Sequence, residues 1–305
     1  MDSKILITGA SGFLGKIISN KLVESGYQLL TLGKQKGNDF QIDLTNKSFQ
    51  MPALAKASIV IHAAGKAHSV PKTQSETEEF FEVNFEGTKN LCNSITSAQC
   101  MPESFIFIST VAVYGVDSGE FIDENHVLNG STPYAQSKIL AEKWLQQWAA
   151  ENNVMLSILR LPLVAGHTPP GNLGAMINGI RNGKYLSIGN ASAKKSMVWA
   201  EDIASIISQL AEKGGTYNLT DGYHPSFGEL ELKIAIAMDK KSPIKIPMIV
   251  ARWIAFLGDF LGNKSPINSD KLKKITSTLT FDDTKARNIL NWRPTPVLDK
   301  ISDII

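Results

Sequence analysis

The sequence predicts an α/β fold, in which a doubly wound parallel sheet carries a smaller, mostly helical C-terminal lobe. Short β-rich apolar runs alternate with amphipathic stretches through the first two-thirds of the chain, which is the pattern of a parallel sheet covered on both faces. The length of 305 residues is about twice that of a common domain. With 43% hydrophobic and 20% charged residues, the chain can bury a large core, so disordered and fibrous classes are excluded.

The first half of the chain contains five runs that are typical of buried strands. These predicted strands are Lys4–Thr8, Gln28–Leu32, Ser58–His62, Ser104–Ser109 and Met155–Leu159. The amphipathic stretches between them predict helices near Leu14–Ser25, Glu76–Ser97 and Pro133–Asn152. Right-handed crossovers between parallel strands place the ligand crevice at the carboxyl ends of the strands. Motifs at those ends therefore carry the most weight.

The remainder of the chain predicts a lobe that closes over this crevice. We assign residues 1–164 to a cofactor domain and residues 165–305 mainly to a substrate lobe, with a strand at Thr216–Leu219 returning to the main sheet. The lobe helices are expected near Leu173–Asn182, Asp202–Lys213, Gly228–Met238, Met248–Leu261 and Asp283–Leu290. The apolar stretch Met248–Leu261 is expected to pack in the lobe core rather than to lie on a membrane surface.

The charge balance and the cysteine content limit the classes of binding partner that we expect. With 31 Lys and Arg against 29 Asp and Glu, the net charge of +2 does not suit a nucleic-acid backbone. From Lys240 onward there are 12 basic and 6 acidic residues, which suits an anionic small molecule near the C-terminal part. Cys92 and Cys100 form no metal-ligand pattern, and no stretch reads as a signal peptide or membrane span. We therefore expect a reduced, cytoplasmic protein with no metal, nucleic-acid or membrane partner.

A glycine-rich turn follows the first strand directly and opens a helix. Gly9 permits the tight turn, Gly12 allows close approach of a pyrophosphate, and Gly15 allows tight helix–strand packing. The free N–H groups of the helix N-terminus then face the phosphates. The turn, which also contains Ser11, Phe13 and Leu14, predicts a dinucleotide site on a Rossmann-type sheet.

The end of the second strand bears on the choice between NAD and NADP. An acidic residue usually stands there to accept from the adenosine ribose, but this segment contains Lys34 and Lys36 and no carboxylate. Lys34 and Lys36 either pair with a 2′-phosphate, which slightly favours NADP, or are solvated lysines of a loop. Asp43 and Leu44 are placed to contact an adenine.

An acid–base pair is predicted on the third long helix. Tyr134 and Lys138 stand four residues apart and therefore share one helix face. A nearby cation favours a phenolate, so we expect Lys138 to lower the pKa of Tyr134. Ser109 or Thr110, at the end of a buried strand, provides a second hydroxyl that could hold a substrate oxygen beside Tyr134.

These residues resemble the extended short-chain dehydrogenases/reductases, and specifically the NAD-dependent epimerase/dehydratase group that acts on nucleotide sugars. The resemblance covers nearly the whole chain. Its motifs are Thr8–Gly15, Asp43–Leu44, His62–Ala64, Asn84–Thr88, Ser109–Gly115, Tyr134 with Lys138, Leu159–Arg160, Asn172, Lys195–Asp202 and the tail from Phe281 to Pro294.

The resemblance implies a role for each matching residue. The catalytic triad would be Thr110, Tyr134 and Lys138. The cofactor would be contacted by the glycine turn, Lys34, Asp43, Leu44, Tyr134, Lys138 and also by His62, Ala63, Ala64, Asn84, Ser109, Leu161 and Val164. The substrate would be contacted by Lys66, His68, Thr110, Val111, Asn172 and Lys195. For His62 and Asn84, purely structural roles stay open.

The resemblance also bears on the reaction. Val111-Ala112 stands where dehydratases carry Asp-Glu, which argues against dehydration, and Leu163 stands where many 4-epimerases carry asparagine. The pattern is most similar to nucleotide-sugar 4-ketoreductases of bacterial surface-polysaccharide synthesis, with a UDP-sugar as expected substrate. The alternatives are a UDP-sugar 4-epimerase that holds NAD tightly and a non-catalytic NAD(P)-binding sensor or scaffold. Homodimers are frequent among such relatives.

Overall fold

The computed structural model describes residues 4–52, 55–67, 69–261 and 268–305. The elements of the first half, in chain order, are β1 (Lys4–Thr8), α1 (Phe13–Glu24), β2 (Gln28–Gly33), β3 (Phe40–Gln41), β4 (Ile59–His62), α2 (Gln74–Phe81), α3 (Gly87–Ser97), β5 (Ser104–Thr110), β6 (Gly119–Ile122), α4 (Pro133–Glu151) and β7 (Met155–Leu161). A π-helical turn, Glu82–Glu86, joins α2 to α3, and a 3₁₀ turn, Val111–Tyr114, follows β5.

The second half contains more and shorter elements. They are β8 (Leu163–Ala165), α5 (Gly171–Arg181), β9 (Leu186–Ile188), β10 (Met197–Trp199), α6 (Ala200–Ala204), α7 (Ile207–Lys213), β11 (Gly215–Asn218), α8 (Phe227–Ala237), β12 (Ile244–Ile246), α9 (Met248–Leu261), α10 (Ser269–Thr276), β13 (Leu279–Phe281), α11 (Thr284–Leu290) and α12 (Ile301–Ile304). A 3₁₀ turn, Val297–Lys300, precedes α12.

Seven strands form one parallel sheet in the order β11-β7-β5-β4-β1-β2-β3. The strand order reverses at β1, because the chain passes from β1 to β2 and β3 on one side and then to β4 on the other. Thr8 lies opposite both Leu32 and His62, so the carboxyl ends of β1, β2 and β4 meet at one edge. The predicted doubly wound α/β fold is confirmed, and this edge is where such a fold binds its ligand.

The predicted strands fall within two residues of the observed ones, and the strand predicted at Thr216–Leu219 is β11, which pairs with β7. The sequence pattern missed β3 and the lobe strands, which pair two by two as β10–β8, β12–β9 and β13–β6. These strands have two to four residues each, too few to show a periodicity.

Two helix predictions need correction. The predicted helix Asp202–Lys213 is two helices, α6 and α7, because Ser205 closes α6 with a hydroxyl bond to the Asp202 carbonyl and Ile206 leaves helical geometry. Ile206 and Ile207 are thereby both buried. The predicted helix Glu76–Ser97 begins two residues earlier, and its centre is the π turn.

The core has two layers, one on each face of the sheet, and a third cluster inside the lobe. On one face β1, β4 and β7 pack against α1, α6, α7 and α11. On the other face, α3 and α4 cover the sheet. Trp292 ties the C-terminal tail to the first face, since its ring is buried and its Nε1 donates to the Thr220 carbonyl at 2.9 Å.

The expectation that Met248–Leu261 packs in the lobe core is wrong. In α9 the buried residues are the small ones, Ala251, Ala255 and Gly258. Met248 is half-buried, and the large apolar side chains from Ile249 to Phe260 are exposed. Hydrophobic composition alone does not decide which face of a helix is covered. In the part of the chain that the structure describes, no helix has the length and apolar character needed to cross a membrane.

Candidate functional site

A continuous groove runs along the carboxyl ends of the strands. Its central cavity of about 350 Å³ is lined by the glycine turn and by residues that follow β4, β5 and β7. A second cavity of about 330 Å³ extends it beyond the end of β2, and the two share Gly9, Gly12, Ala63, Gly65 and Lys66. A third cavity of about 290 Å³ lies on the lobe side and shares Pro162 and Leu163 with the first. We call these the central, adenosine-side and lobe cavities.

The glycine turn is shaped for close approach. Gly9 has φ +74°, and a Cβ there would lie 2.6 Å from the Ala64 nitrogen. A Cβ on Gly15 would lie 2.1 Å from the Gly9 carbonyl oxygen. Gly12 precedes α1 without any side-chain cap and lines both the central and the adenosine-side cavity. These features fit a dinucleotide whose diphosphate lies against the start of α1.

The adenosine-side cavity brings together Ser11, Lys34, Asp43 and Leu44, as the sequence predicted. The Asp43 carboxylate accepts from the Thr45 backbone N–H at 3.0 Å and from its hydroxyl at 2.9 Å. These bonds, the backbone one foremost, lower the pKa of Asp43, so it stays ionised at neutral pH. Lys34 lines the cavity, whereas Lys36 is not among its lining residues.

The predicted triad meets in the central cavity. Thr110 ends β5, and Tyr134 and Lys138 lie one turn apart on α4. The helix starts just before Tyr134 because Pro133 occupies its first turn and the Thr132 hydroxyl accepts from the Ala135 N–H at 3.2 Å. This start aims both side chains at the end of β5.

The electrostatics of the triad differ from the prediction. Burial lowers the pKa of the Lys138 ammonium to about 8, and the Glu142 carboxylate opposes that shift. Burial raises the pKa of Tyr134, and the Thr110 hydroxyl opposes this. The expectation that Lys138 lowers the pKa of Tyr134 is wrong for this structure, because Lys138 Nζ donates to the Ile108 carbonyl at 2.8 Å and lies 4.4 Å from the centre of the Phe107 ring.

A buried ion pair that the sequence analysis missed lies beneath the triad. Glu142 and Arg160 are both buried, and Arg160 Nη2 lies 2.7 Å from Glu142 Oε2 while Nε lies within 3.3 Å of both carboxylate oxygens. The Ser109 hydroxyl also donates to Glu142. Glu142 lies two turns after Tyr134 and one turn after Lys138, on the same face of α4. This i, i+4, i+8 spacing in the sequence could have identified Glu142 as part of the site.

The ion pair extends towards β11. Arg160 Nη1 donates to the Tyr114 hydroxyl and to the Glu124 carbonyl, both at 3.2 Å. The Tyr114 hydroxyl in turn donates to the Asn218 side-chain oxygen at 2.7 Å. The network therefore joins α4, β7, the turn after β5 and β11.

Two predicted cofactor contacts do not reach the groove. His62 is fully buried, with Nδ1 2.6 Å from the Thr8 hydroxyl and Nε2 2.9 Å from that of Thr88. Burial lowers the pKa of His62 to about 3, so the ring is neutral. Its two ring nitrogens contact hydroxyls of β1 and of α3, so the contacts that His62 makes in this structure are structural ones.

Asn84 also lies behind the groove rather than in it. Its side chain accepts from the Lys66 N–H at 2.7 Å and donates to the Lys66 carbonyl and the Ser137 hydroxyl, each at 3.0 Å. Asn84 lies in the π turn, and from there its side chain reaches the loop that follows β4. Asn84 therefore braces the segment that contains Gly65, as one of the two sequence-based readings proposed.

The remaining cofactor candidates line the central or adenosine-side cavity. They are Phe13, Leu14, Ala63, Ala64, Ser109, Leu161 and Val164. Residues of the same two cavities that sequence reasoning missed include Ile42, Glu79, Val83 and Pro162.

Three of the predicted substrate residues line the lobe cavity, namely Val111, Asn172 and Lys195. Asp117 and Lys274, which the sequence analysis missed, line the same cavity. Burial lowers the pKa of Lys195, and Asp117 opposes that shift.

Two further substrate candidates do not join this group. Lys66 lines the cofactor groove instead, where its ammonium contacts Glu79. His68 lies outside the described residues.

Comparisons with known proteins find relatives over nearly the whole chain. The profile of the NAD-dependent epimerase/dehydratase family matches residues 5–220. The chain is 27% identical to an N-acetyl-alpha-D-glucosaminyl-diphospho-ditrans,octacis-undecaprenol 4-epimerase of Escherichia coli O157:H7, over 94% of this chain and 90% of that protein. It is also 27% identical to a UDP-glucose 4-epimerase of Vibrio cholerae, over 98% and 93% of the two chains.

Solved structures share the fold. A UDP-glucose 4-epimerase of Thermotoga maritima, solved with UDP-glucose, superposes with a TM-score of 0.77 at 20% identity and covers 98% of this chain and 96% of its own. Other structures of the same fold are complexes with NAD or with NADPH.

The buried ion pair yields a stability prediction. In Glu142→Gln, Arg160 remains buried without its carboxylate, so we expect the free energy of unfolding to fall by about 3–5 kcal/mol. Urea unfolding followed by circular dichroism measures the change. Glu151→Gln, at the exposed end of the same helix, is the control and should change stability by less than about 0.5 kcal/mol. A Glu142→Gln protein as stable as the control would show that the pair does not hold α4 on the sheet.

Buried His62 yields a pH prediction. Its pKa is lowered from 6.5 to about 3 in the folded protein, so below pH 6.5 only the unfolded chain takes up the proton. Stability is therefore lost as the pH falls below 6.5, by up to about 3–5 kcal/mol in total near the folded pKa. We expect His62→Gln to flatten the dependence of unfolding free energy between about pH 7 and about pH 5, whereas the exposed His126→Gln keeps it. Equal slopes for both variants would contradict the assignment.

Proposed function

Because the chain belongs to the NAD-dependent epimerase/dehydratase family, we propose that it oxidises and reduces C4 of a nucleotide-activated sugar, with 4-epimerisation of a UDP-sugar as its net reaction. The observation that carries this proposal is the position of Thr110, Tyr134 and Lys138 in the central cavity, between the dinucleotide groove and the lobe cavity. A substrate that extends from the lobe cavity to the triad would present one sugar carbon to both the cofactor and the acid–base pair.

The groove residues fit a nicotinamide dinucleotide. The turn at Gly9–Gly15 would hold its diphosphate, Asp43 and Leu44 its adenine, and Lys138 its nicotinamide ribose. When bound, this group accepts a hydride from the sugar carbon and returns it.

Side chains of the protein would transfer the proton of the sugar C4 hydroxyl. The Tyr134 hydroxyl would exchange a proton with the sugar C4 oxygen, while the Thr110 hydroxyl donates to the same oxygen and fixes its position. Lys138, whose pKa is about 8, is largely protonated at neutral pH, so it would donate to the nicotinamide ribose as an ammonium. Asn84 and Glu142 hold the surrounding backbone and side chains without touching the substrate.

The lobe cavity suits an anionic, partly apolar ligand. Lys195 and Lys274 contribute positive charge for a diphosphate, although Asp117 lies 3.4 Å from Lys274 and offsets part of it. Leu173 and Met176 provide apolar surface for a base. Lysine is a point charge without the fork of arginine, so it neutralises a phosphate without fixing its orientation.

Epimerisation ranks first because the two sequence relatives described above, which each cover more than 90% of this chain, are 4-epimerases. The second candidate is a nucleotide-sugar 4-ketoreductase. It is favoured by Lys34 at the end of β2, where a charge partner for a 2′-phosphate suits a cofactor that is released after each turnover. A non-catalytic sensor is a weaker alternative, because Tyr134 and Lys138 are both present and line the same cavity.

A substitution of the acid tests the reaction. Tyr134→Phe should lower turnover by about 10²–10⁴-fold, because the phenol proton is lost while the ring still packs. Interconversion of UDP-GlcNAc and UDP-GalNAc, followed by NMR, measures epimerisation. Loss of NAD(P)H absorbance with a UDP-4-keto-6-deoxy sugar measures reduction. Tyr27→Phe, whose hydroxyl contacts Ser208 far from the groove, is the control.

The two assays separate the candidates. Epimerisation without net consumption of NAD(P)H supports the first candidate, and reduction without epimerisation makes the second correct. Turnover by Tyr134→Phe at the level of Tyr27→Phe would exclude Tyr134 as the acid. Binding of NAD(P) without either reaction would favour the sensor.

The cofactor preference has its own test. If Lys34 pairs with a 2′-phosphate, Lys34→Ala should weaken NADPH binding by about tenfold or more while NADH binding stays the same. Lys36→Ala is the matched control, since Lys36 carries the same charge two residues away but does not line the cavity. Fluorescence titration of both reduced cofactors measures the ratio. An unchanged ratio in Lys34→Ala would show that Lys34 is a solvated lysine.

A further inference from the structure

Helix α9 packs on the lobe with its small side chains and exposes its large apolar ones, whereas an ordinary packed helix buries the large apolar ones. Its buried stripe consists of Ala251, Ala255 and Gly258, and the two alanines pack against α10 and the β9–β12 pair. Small residues permit close contact with the lobe but bury little apolar area. The helix is therefore attached by its small face and presents its large face outward.

The outward face is broad and aromatic. It consists of Ile249, Val250, Trp253, Ile254, Phe256, Leu257 and Phe260. Trp253 is 65% exposed and Phe260 is 75% exposed. At about 100° per residue, this face spans roughly 160° of the helix surface. Such a contiguous apolar patch marks a site of interaction rather than scattered surface residues.

The part of the chain that contains this face is basic. Among the described residues from 239 to 276 there are seven basic and three acidic ones. The seven basic residues, all exposed, are Lys240, Lys241, Lys245, Arg252, Lys271, Lys273 and Lys274. Of the acidic residues, Asp259 is engaged in the fold, since its carboxylate accepts from the Ser269 N–H at 2.9 Å and from its hydroxyl at 2.6 Å.

We propose that α9 docks this protein on an anionic lipid surface. The aromatic and aliphatic side chains enter the boundary between headgroups and acyl chains, and Arg252 and exposed lysines of the neighbouring segments meet the anionic headgroups. Tryptophan and phenylalanine on one face of a helix with basic flanks is the composition of an interfacial helix. A second copy of the chain is a poorer occupant, because a two-fold interface would set this basic region against itself.

Docking of this kind would bring the lobe cavity to the lipid surface. Helix α10 packs against α9, and its Lys274 and Ile275 line the lobe cavity. A substrate presented at the surface would then enter beside Lys274. The lipid contact itself does not depend on which reaction the triad performs, and it is measured without substrate.

Vesicle co-sedimentation tests the proposal. The full chain is mixed with phosphatidylethanolamine vesicles that contain phosphatidylglycerol, and separately with phosphatidylcholine vesicles. We expect binding to the anionic vesicles, weakened by added salt. Phe256→Ser/Phe260→Ser should lower the partition coefficient by at least about tenfold, because two ring insertions are lost. Val23→Ser/Ile289→Ser removes apolar side chains that are 58% and 45% exposed on α1 and α11, and it should bind as the parent does.

The four substituted residues are exposed, so we expect both double variants to fold as the parent does, and matching urea unfolding curves would confirm this. A parent protein that does not sediment with anionic vesicles, equal sedimentation of both double variants, or equal binding to neutral vesicles would overturn the proposal. A dimer of the parent that Phe256→Ser/Phe260→Ser converts to monomer, without vesicle binding, would assign the face to a second copy. The sugar assays use soluble substrates, so their failure is separate from failure here.

Discussion

The buried pair of Glu142 and Arg160 is the constraint on which the arrangement of the site depends. Two charges taken out of water are stable only when they remain together and fully hydrogen-bonded, so the pair locks α4 onto β7 at one register. Because Glu142 shares its helix face with Tyr134 and Lys138, fixing one turn of α4 fixes the other two. The hydroxyl of Ser109 closes the network from β5, next to Thr110. Tyr134 and Lys138 are thus positioned by buried charges that lie outside the lining of the cavities.

The groove follows from the topology of the sheet. Parallel strands deliver their carboxyl ends to one edge, and the reversal of strand order at β1 leaves a crevice there. Gly9 and Gly15 let the turn pack tightly at the edge of that crevice, since a Cβ at either position would collide with backbone. His62 and Asn84 serve the same edge from behind, where they satisfy buried polar groups of β1, α3 and the segment after β4. The edge therefore combines rigid backbone with a few side chains that can exchange protons.

The lobe adds a cavity with two lysines and an outward apolar surface. Lys195 and Lys274 come from distant parts of the chain and meet at one cavity, next to residues of α5. On the far side of α10, the small residues of α9 fasten a helix whose large side chains face outward. A lobe built from short strand pairs and amphipathic helices can carry both features, because neither depends on the central sheet.

Much of the fold and of the site could be read from the sequence alone. Long apolar strands, the glycine turn and the Tyr134–Lys138 spacing are local patterns, and local patterns report local backbone geometry. Those signals identified the parallel sheet and the family, and they predicted three residues, Thr110, Tyr134 and Lys138, that line one cavity. The sequence could not show that Glu142 pairs with Arg160, that Lys274 joins Lys195, or that His62 is sealed between two threonines, because each depends on contacts between segments far apart in the chain. It also could not tell that α9 turns its large residues outward. The sequence shows one face of small residues and one of large apolar residues, but tertiary packing decides which of them is covered.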